Sequence, residues 1–453
     1  MLNALSINMS NMVGTGPFIT VPAILATLGG PQSLIAWGVG ATLAIADGLV
    51  FAELGASIPA SGGSYIFLRE CLGRYRWGHM MAWIFVWQFL FSGTLEIATS
   101  SIGMAEYAGF LWPGLLAYRW GIKLLAASIT ALAVLALYRK IQDIARLMLV
   151  LWVGMLLTAA WVIFAGMTHL SPKLLFDFPP GAWQIGLPFM LGLGNGTMLV
   201  MFNFLGYYQI CYLGEEVKQP ERVIPWGVIV SILVVMVIDF LISVSFTGVL
   251  PWREMIQPGT QAFNAVGSVY MERVSGHWAS VLMTVMVEIT AFAATYAMLL
   301  GYSRIPYAAA LDGAFFRWFG EVHPTKRFPH RSLMLVGLLV IAACSFDLVQ
   351  IITALMMARI VSMFVAQIIG LLVYRRYRPN APRPFRMWLY PLPALFALVG
   401  WLGVFVTPAL QPGGWRFLLY AVGTIAAGFA AYLLIAWRKN EWPFQAVTVG
   451  LIG

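Results

Sequence analysis

Charge is what this chain has least of. Only 10% of its 453 residues are Asp, Glu, Lys or Arg, while 60% are hydrophobic. A water-soluble protein of that length needs far more charge to cover its surface, so a soluble globular fold is excluded. Cysteine is scarce as well. Cys71, Cys211 and Cys344 stand singly in or beside apolar runs, which excludes a disulfide framework and a cysteine metal site. The five histidines (His79, His169, His277, His323 and His330) lie outside or at the ends of those runs, and none pairs at a metal-ligand spacing. An intramembrane enzyme needs a Ser–His dyad, an aspartate pair or a histidine-rich metal site at depth, so no enzyme is expected. The net charge of +9 raises nucleic acid as a partner. The Lys and Arg residues sit in short loops between apolar runs, and nucleic acid is rejected.

What fills the chain is a succession of apolar runs of about 20 residues, each long enough to cross a bilayer. They are continuous rather than alternating, which selects helices over a barrel. The runs place spans at 4–28, 32–56, 78–105, 122–138, 144–167, 184–214, 226–250, 275–303, 332–350, 352–374, 388–409 and 415–437. The first Lys or Arg is Arg69, so no basic n-region precedes the first run, and Met1–Leu28 reads as a spanning helix rather than a signal peptide. Twelve spans put both termini on one side. Of the 27 Lys and Arg, twenty fall on that side, six on the other, and Arg359 lies within a span. The positive-inside rule then expects both termini in the cytoplasm. Trp77, Trp112, Trp252, Trp388 and Trp437 gather at span ends, as interfacial belts do. No polar stretch is long enough to fold alone, so 1–440 reads as one membrane domain, with 441–453 a short cytoplasmic tail.

Two spans carry residues that do not suit a straight helix. Gly14, Gly16 and Pro17 fall at mid-membrane depth in the first. Proline removes a backbone donor and clashes with the preceding turn, and glycine lets the chain unwind. Exposed N–H and C=O groups inside a membrane are costly unless something binds them. A small zwitterion does so, its carboxylate on the N–H groups that open one half-helix and its ammonium on the carbonyls that close the other. A plain proline kink with small residues for packing is the bland alternative. The sixth span runs from Trp183 through Gly192, Gly194 and Gly196 to Phe202, Asn203, Gly206, Tyr207, Tyr208 and Gln209. It is too long for one straight crossing. Two interrupted spans five helices apart point to inverted repeats, here about 4–167 and 184–374, with 388–437 as accessory helices.

Several segments resemble the amino acid–polyamine–organocation family of transporters. Gly14-Thr-Gly-Pro-Phe18 is similar to its Gly-Ser-Gly-Ile-Phe signature, with Pro17 replacing the usual Ile. Ala52-Glu-Leu-Gly55 and Ile58-Pro-Ala-Ser-Gly-Gly-Ser-Tyr65 resemble its second-helix and re-entry pattern. Glu215-Glu-Val-Lys-Gln-Pro-Glu-Arg-Val-Ile-Pro225 is close to its Glu-Glu-Val-Lys-Asn-Pro-Glu-Arg-Asn-Ile-Pro run. Ser303–Gly313 and Arg378–Arg386 resemble the segments after helix eight and before helix eleven. The resemblance implies an all-α membrane protein of twelve helices, a five-plus-five inverted repeat with broken helices one and six plus two extra helices, working by alternating access. It also implies that Val13, Gly14, Thr15 and Gly16 take the amino acid backbone, that Phe202 caps it, and that Tyr207 and Tyr208 line the site with Asn203 and Gly206. Two departures matter. Leu147–Thr158 lacks the helix-five lysine that some relatives carry where others bind sodium, so the coupling mechanism does not carry over and proton coupling stays open. Gly-Pro in the first break occurs in the polyamine-transporting branch, which keeps polyamines open.

Ionisable residues within the spans are Asp47, Glu96, Glu106, Asp239, Glu288, Asp347 and Arg359. Glu106 and Asp347 fall near span ends and read as interfacial; Asp47 and Asp239 have no evident partner. Glu96 and Glu288, on helices that flank the implied site, attract the cationic end of a basic amino acid or diamine, carry a proton, or pair structurally with Arg359. Glu53 reads as structural or gating. Glu215, Glu216 and Glu221 with Lys218 and Arg222 read as a cytoplasmic salt-bridge network that locks an inner gate or caps helix ends.

No Gly-x-x-x-x-Gly-Lys-Ser/Thr phosphate loop occurs, which argues against ATP-driven transport by this chain. No repeated filter or charged ring supports a channel. The expectation is a secondary transporter of amino acids in the plasma membrane (the inner membrane in a bacterium). Its partners are a small-molecule substrate and lipid, with no cofactor or metal and an oligomeric state the sequence leaves open. Polyamines or cationic amino acids are the alternative substrates, and a non-transporting membrane sensor is the alternative of a different class.

Overall fold

The computed structural model describes residues 5, 8, 9, 12, 14–60, 62–73, 76–118, 120–138, 144–311, 313, 315–324, 328–440 and 442–444, with the side chains of 116, 117 and 144–152 excepted. Among them the chain is helical and contains no strand. The principal helices are α1 (Gly16–Leu28), α2 (Ile35–Ser57), α3 (Trp77–Leu111), α4 (Gly121–Tyr138), α5 (Ile144–His169), α6 (Leu187–Asn203), α7 (Pro220–Val249), α8 (His277–Tyr302), α9 (His330–Ala343), α10 (Leu348–Tyr377), α11 (Leu392–Ala409) and α12 (Trp415–Lys439). Among the described residues, eight helices are long and apolar enough to cross a bilayer: α2, α3, α4, α7, α8, α10, α11 and α12. α1, α5 and α9 contribute shorter apolar helices.

Local sequence explains the ends. Pro17, Pro188 and the leading Pro220 sit in the first turns of α1, α6 and α7, where a missing N–H removes nothing the helix needs. α1 stops at Gly29, whose φ of 67° lets its N–H turn back to Leu25 O. α3 runs six residues past the expected 105. Its last turn is tied down by Tyr107, whose hydroxyl donates to Phe18 O at 2.9 Å and accepts from Gly267 N at 3.1 Å. Glu106 is half-buried within α3. The ninth helix ends at Ala343 and the tenth begins at Leu348, because a turn over Cys344–Phe346 separates them. Asp347 is exposed at that boundary and pairs with Lys123 at 3.3 Å.

α3 and α10 are buried along most of their length and form the centre. α3 packs on α8 and α10, α2 on α7, and α1 on α6. α2 and α7 approach closely at Gly48, where a Cβ would press into Ile232 and Val228. α4, α5, α11 and α12 turn Leu124, Leu132, Phe164, Val399, Leu419 and Val422 outward. In water such a surface would aggregate; facing lipid tails it is already at home.

Candidate substrate site

The two interrupted segments meet. Helical residues Asn8, Met9 and Met12 precede a bend at Gly14 and Thr15, after which α1 starts at Gly16. Its N-cap residue, Thr15, makes no side-chain capping hydrogen bond. The first N–H groups of α1 stand at the end of a helix where an anion is favoured. Val13 lies outside the described residues. α6 ends at Asn203 and gives way to a turn over 204–208, with Gly206 at φ 117°, and then to a 3₁₀ segment, Gln209–Tyr212. A Cβ at Gly16 would collide with the Asn203 amide oxygen. Thr20 Oγ1 donates to Gly16 O at 2.9 Å, and Asn203 Nδ2 donates to Thr20 Oγ1 at 3.0 Å and Leu199 O at 2.9 Å. The opening of α1 is therefore clamped on the closing turn of α6.

Asn8 completes the other side. It is fully buried; its Nδ2 donates to Tyr207 O at 2.6 Å, and its Oδ1 accepts from Ile210 N at 2.9 Å. One side chain thereby satisfies two main-chain groups that the unwound segment would otherwise leave orphaned. Sequence reasoning missed Asn8. The signal was an amide within an apolar run, six positions before Gly14 of the glycine motif.

Beside this junction lies a buried ion pair. Arg359 Nη2 is 2.7 Å from Glu96 Oε2, and the Tyr302 hydroxyl donates to the same oxygen at 2.9 Å. Arg359 Nη1 reaches the Tyr208 hydroxyl at 3.5 Å, and its guanidinium lies 5.3 Å from the centre of the Phe89 ring. α3, α8, α10 and the turn after α6 thus converge on one arginine. Directly after it, α10 widens into a π turn, Ile360–Val365, a distortion found disproportionately at functional positions. Of the two carboxylates considered for Arg359, Glu96 is the partner. Glu288 is half-buried on α8, Oε1 has no hydrogen-bond partner, and it does not join the cluster.

Tyr207 and Tyr208 are both buried, and they diverge. Tyr208 stacks on Phe51 at 5.2 Å and faces Arg359; Tyr207 donates its hydroxyl to Asp47 on α2. Asp47 therefore has a partner that the sequence did not reveal. Phe202 is half-buried at the end of α6, Thr15 is buried, and Gly14 is half-buried. Asp239, on α7, is fully buried with neither carboxyl oxygen hydrogen-bonded.

The residues expected to gate fall into two groups. Glu53 is fully buried and held by a fork: Arg375 Nε donates to Oε1 at 2.7 Å and Nη2 to Oε2 at 2.5 Å, with Met387 N adding 2.8 Å to Oε2. Arg375 also stacks over Tyr390, 3.7 Å from the ring centre. Glu215, Glu216 and Lys218 are exposed. Among the described residues Glu216, Lys218, Glu221 and Arg222 form no ion pair with one another. These four side chains are solvated, where pairing gains little.

A cavity of about 340 Å³ opens between Ala23, Ala26 and Thr27 of α1, Asn195, Met198 and Leu199 of α6, and Val349, Gln350 and Thr353 of α10. Thr353 lies six residues before Arg359, about 9 Å along the helix. The cavity lies beside α1 and α6 near the start of α10, and is closed on its other side by Pro408, Gln411 and Phe417 between α11 and α12.

Known proteins align with this picture. A family model described as amino acid permease matches residues 1–444. The chain is 29% identical to an uncharacterised transporter of Mycobacterium tuberculosis over 76% of this chain and 72% of that one. It is 26% identical to the cystine/glutamate transporter of Homo sapiens over 99% and 87% of the two chains. It is 23% identical to a branched-chain amino acid permease of Bacillus subtilis over 95% and 90%. With a multi-pass set of apolar helices and a family match over nearly its whole length, this chain belongs to the amino acid permease family.

Proposed function

We propose that this permease carries zwitterionic amino acids by alternating access, with the carboxylate on the N–H groups opening α1 and the ammonium on carbonyls where α6 ends. The observation that carries the reading is the engagement of Glu96 by Arg359 and Tyr302. A polyamine or basic amino acid needs a free carboxylate for its distal cation, and Glu96, the carboxylate on α3 expected to supply it, is already neutralised by Arg359. The main-chain groups beside Gly16 suit an α-amino acid head whatever its side chain. Polyamines accordingly become the weaker alternative.

The architecture that goes with this reading is twelve spanning helices, two inverted five-helix repeats (about 4–167 and 184–374) and accessory helices in 388–437, within one membrane domain over 1–440. The Lys and Arg bias supports a plasma-membrane protein with both termini in the cytoplasm. The test is a substrate screen. Purified protein in liposomes loaded with unlabelled amino acids should take up labelled neutral amino acids by exchange, and putrescine should compete poorly. Uptake dominated by putrescine or by lysine and arginine would overturn the zwitterion reading. Binding that raises the melting temperature without any flux would make the protein a sensor.

A further inference from the structure

The Asp47 carboxyl is not used by the substrate reading, yet it is joined to both interrupted segments. It is fully buried in the middle of α2. One oxygen accepts from Tyr207 in the unwound turn after α6, and Oδ1 has no hydrogen-bond partner. The carbonyl of the same Tyr207 is held by Asn8, ahead of the break in the first span. The Tyr207 ring meets Tyr208 at 5.1 Å, and Tyr208 meets Arg359. The Trp401 indole is directed at the carboxyl without reaching hydrogen-bond geometry, and it stacks at 4.1 Å on Phe364 of the π turn. One acidic side chain thereby touches the α6 break directly and is linked to the first span through Tyr207 and Asn8, and to the bent part of α10 through Trp401 and Phe364.

No cation faces it. The elements packed on α2 are α6, α7, α10, α11 and the 3₁₀ segments Pro31–Leu34 and Gln209–Tyr212. α6, α11 and Pro31–Leu34 carry no titratable residue. α7 brings Glu221, Arg222 and Asp239, with the first two exposed in its opening turn. Gln209–Tyr212 brings Cys211 and Tyr212. The end of α10 brings Tyr374, Arg375, Arg376 and Tyr377, and Arg375 is committed to Glu53, six residues along α2 from Asp47. A charged carboxylate with one unfilled oxygen is expensive in such surroundings, whereas a proton on it removes the charge.

We propose that Asp47 is a proton-binding site of the transport cycle, acting on the α6 break through Tyr207. Binding forms one O–H bond with a proton from water on the open side, and release on the other side restores the carboxylate; nothing is oxidised or reduced. The proton alters how Asp47 holds Tyr207, and through Tyr208 and Phe364 it biases the turn and the π bulge together. The inference rests on the permease reading and goes beyond it, since family membership does not name a coupling ion.

The test uses full-length protein in liposomes containing the pH dye pyranine and an equimolar mixture of radiolabelled proteinogenic L-amino acids. Two fluxes are read: counterflow at equal pH, and accumulation with acid outside. The wild type should show both, with acidification of the lumen. Asp47→Asn should keep counterflow within about twofold and lose accumulation and acidification, while Asp239→Asn keeps all three. Tyr207→Phe should shift the pH of half-maximal uptake by about one unit, the worth of a hydrogen bond to a charged group. Accumulation and acidification that survive Asp47→Asn, or vanish only in Asp239→Asn, overturn the proposal. If Asp47→Asn also loses counterflow, an unchanged pH profile in Tyr207→Phe overturns it. Wild-type counterflow without gradient-driven accumulation refutes this inference alone; no wild-type counterflow refutes the permease reading as well.

Discussion

Arg359 shows how much one residue holds at this site. Its guanidinium is nearly inaccessible, its Nε has no hydrogen-bond acceptor, and its one full counter-charge among the described residues is Glu96. Removing one member of a buried pair strands the other charge, which costs about 3–5 kcal/mol, while replacing both with apolar residues of similar size is often neutral. Arg359→Met should therefore lower the melting temperature sharply, and Glu96→Leu with Arg359→Met should recover most of the loss. A double variant as unstable as the single one would show that the hydrogen bonds to Tyr208 and Tyr302, and not the charge pair, hold the cluster. Gly16 makes a smaller claim. A methyl group there displaces the Asn203 amide, so Gly16→Ala should weaken amino acid binding by about tenfold, or about 1.4 kcal/mol, read as a smaller ligand-induced rise in melting temperature. Much of this scale was legible. Glu96 and Arg359 announce themselves as charges inside apolar runs, and Gly16 by its neighbours Gly14 and Pro17. Which carboxylate meets Arg359 was not legible, because that depends on how α10 is rotated against α3. Tyr207 likewise looked like a lining residue, and only its rotamer reveals the bond to Asp47.

At the scale of elements, unwinding α6 has to be compensated somewhere, and Asn8 does it. Asn8→Ala would leave Tyr207 O and Ile210 N without partners in a dry interior, at about 1–3 kcal/mol each. Asn8→Asp would keep an acceptor for Ile210 N and lose the donor to Tyr207 O. Transport by Asn8→Ala should fall more steeply than its folded yield, because the break itself loses its shape; parallel losses would reduce Asn8 to a packing residue. The Glu53–Arg375 fork is the second device, tying the end of α2 to the end of α10 and to Met387 N. Arg375→Lys cannot reproduce the two-pronged geometry and should give a measurably lower melting temperature, with Arg375→Ala lower still. Equal stability of all three proteins would show that the fork is an incidental contact of one conformation. Glycine and proline made both interruptions visible in sequence, since they mark where a helix cannot continue. The 3₁₀ course after Gly206, the π turn after Arg359 and the partner of Glu53 were not visible. The first and last arise from contacts between segments about two hundred residues or more apart, where local propensity carries no information.

Across the whole molecule, the distribution of exposed leucine and phenylalanine on α4, α5, α11 and α12 defines the lipid-facing side, and the cavity at Ala23–Thr27 opens between α1, α6 and α10 at one end of the bundle. That end is where α1 finishes and α10 begins, opposite the end where Arg375 holds Glu53. If the basic loops are cytoplasmic, the cavity is open to the outside and the fork closes the inside. This can be read chemically, because Cys71, Cys211 and Cys344 are all buried and give little background. A membrane-impermeant thiol reagent applied to intact cells should label Ala26→Cys at the rim and, more slowly, Thr353→Cys deeper in the cavity. It should reach Tyr377→Cys, which is 76% exposed at the far end of α10, only after the cells are permeabilised. A transported amino acid should slow labelling at Thr353→Cys and leave Ala26→Cys unaffected, since only the deeper position lies on the helix that carries Arg359. Labelling of Tyr377→Cys in intact cells would invert the orientation. Reaction at Thr353→Cys only after permeabilisation, with Ala26→Cys accessible throughout, would place the closed gate on the outer side and make the cavity a shallow indentation rather than the route to the site.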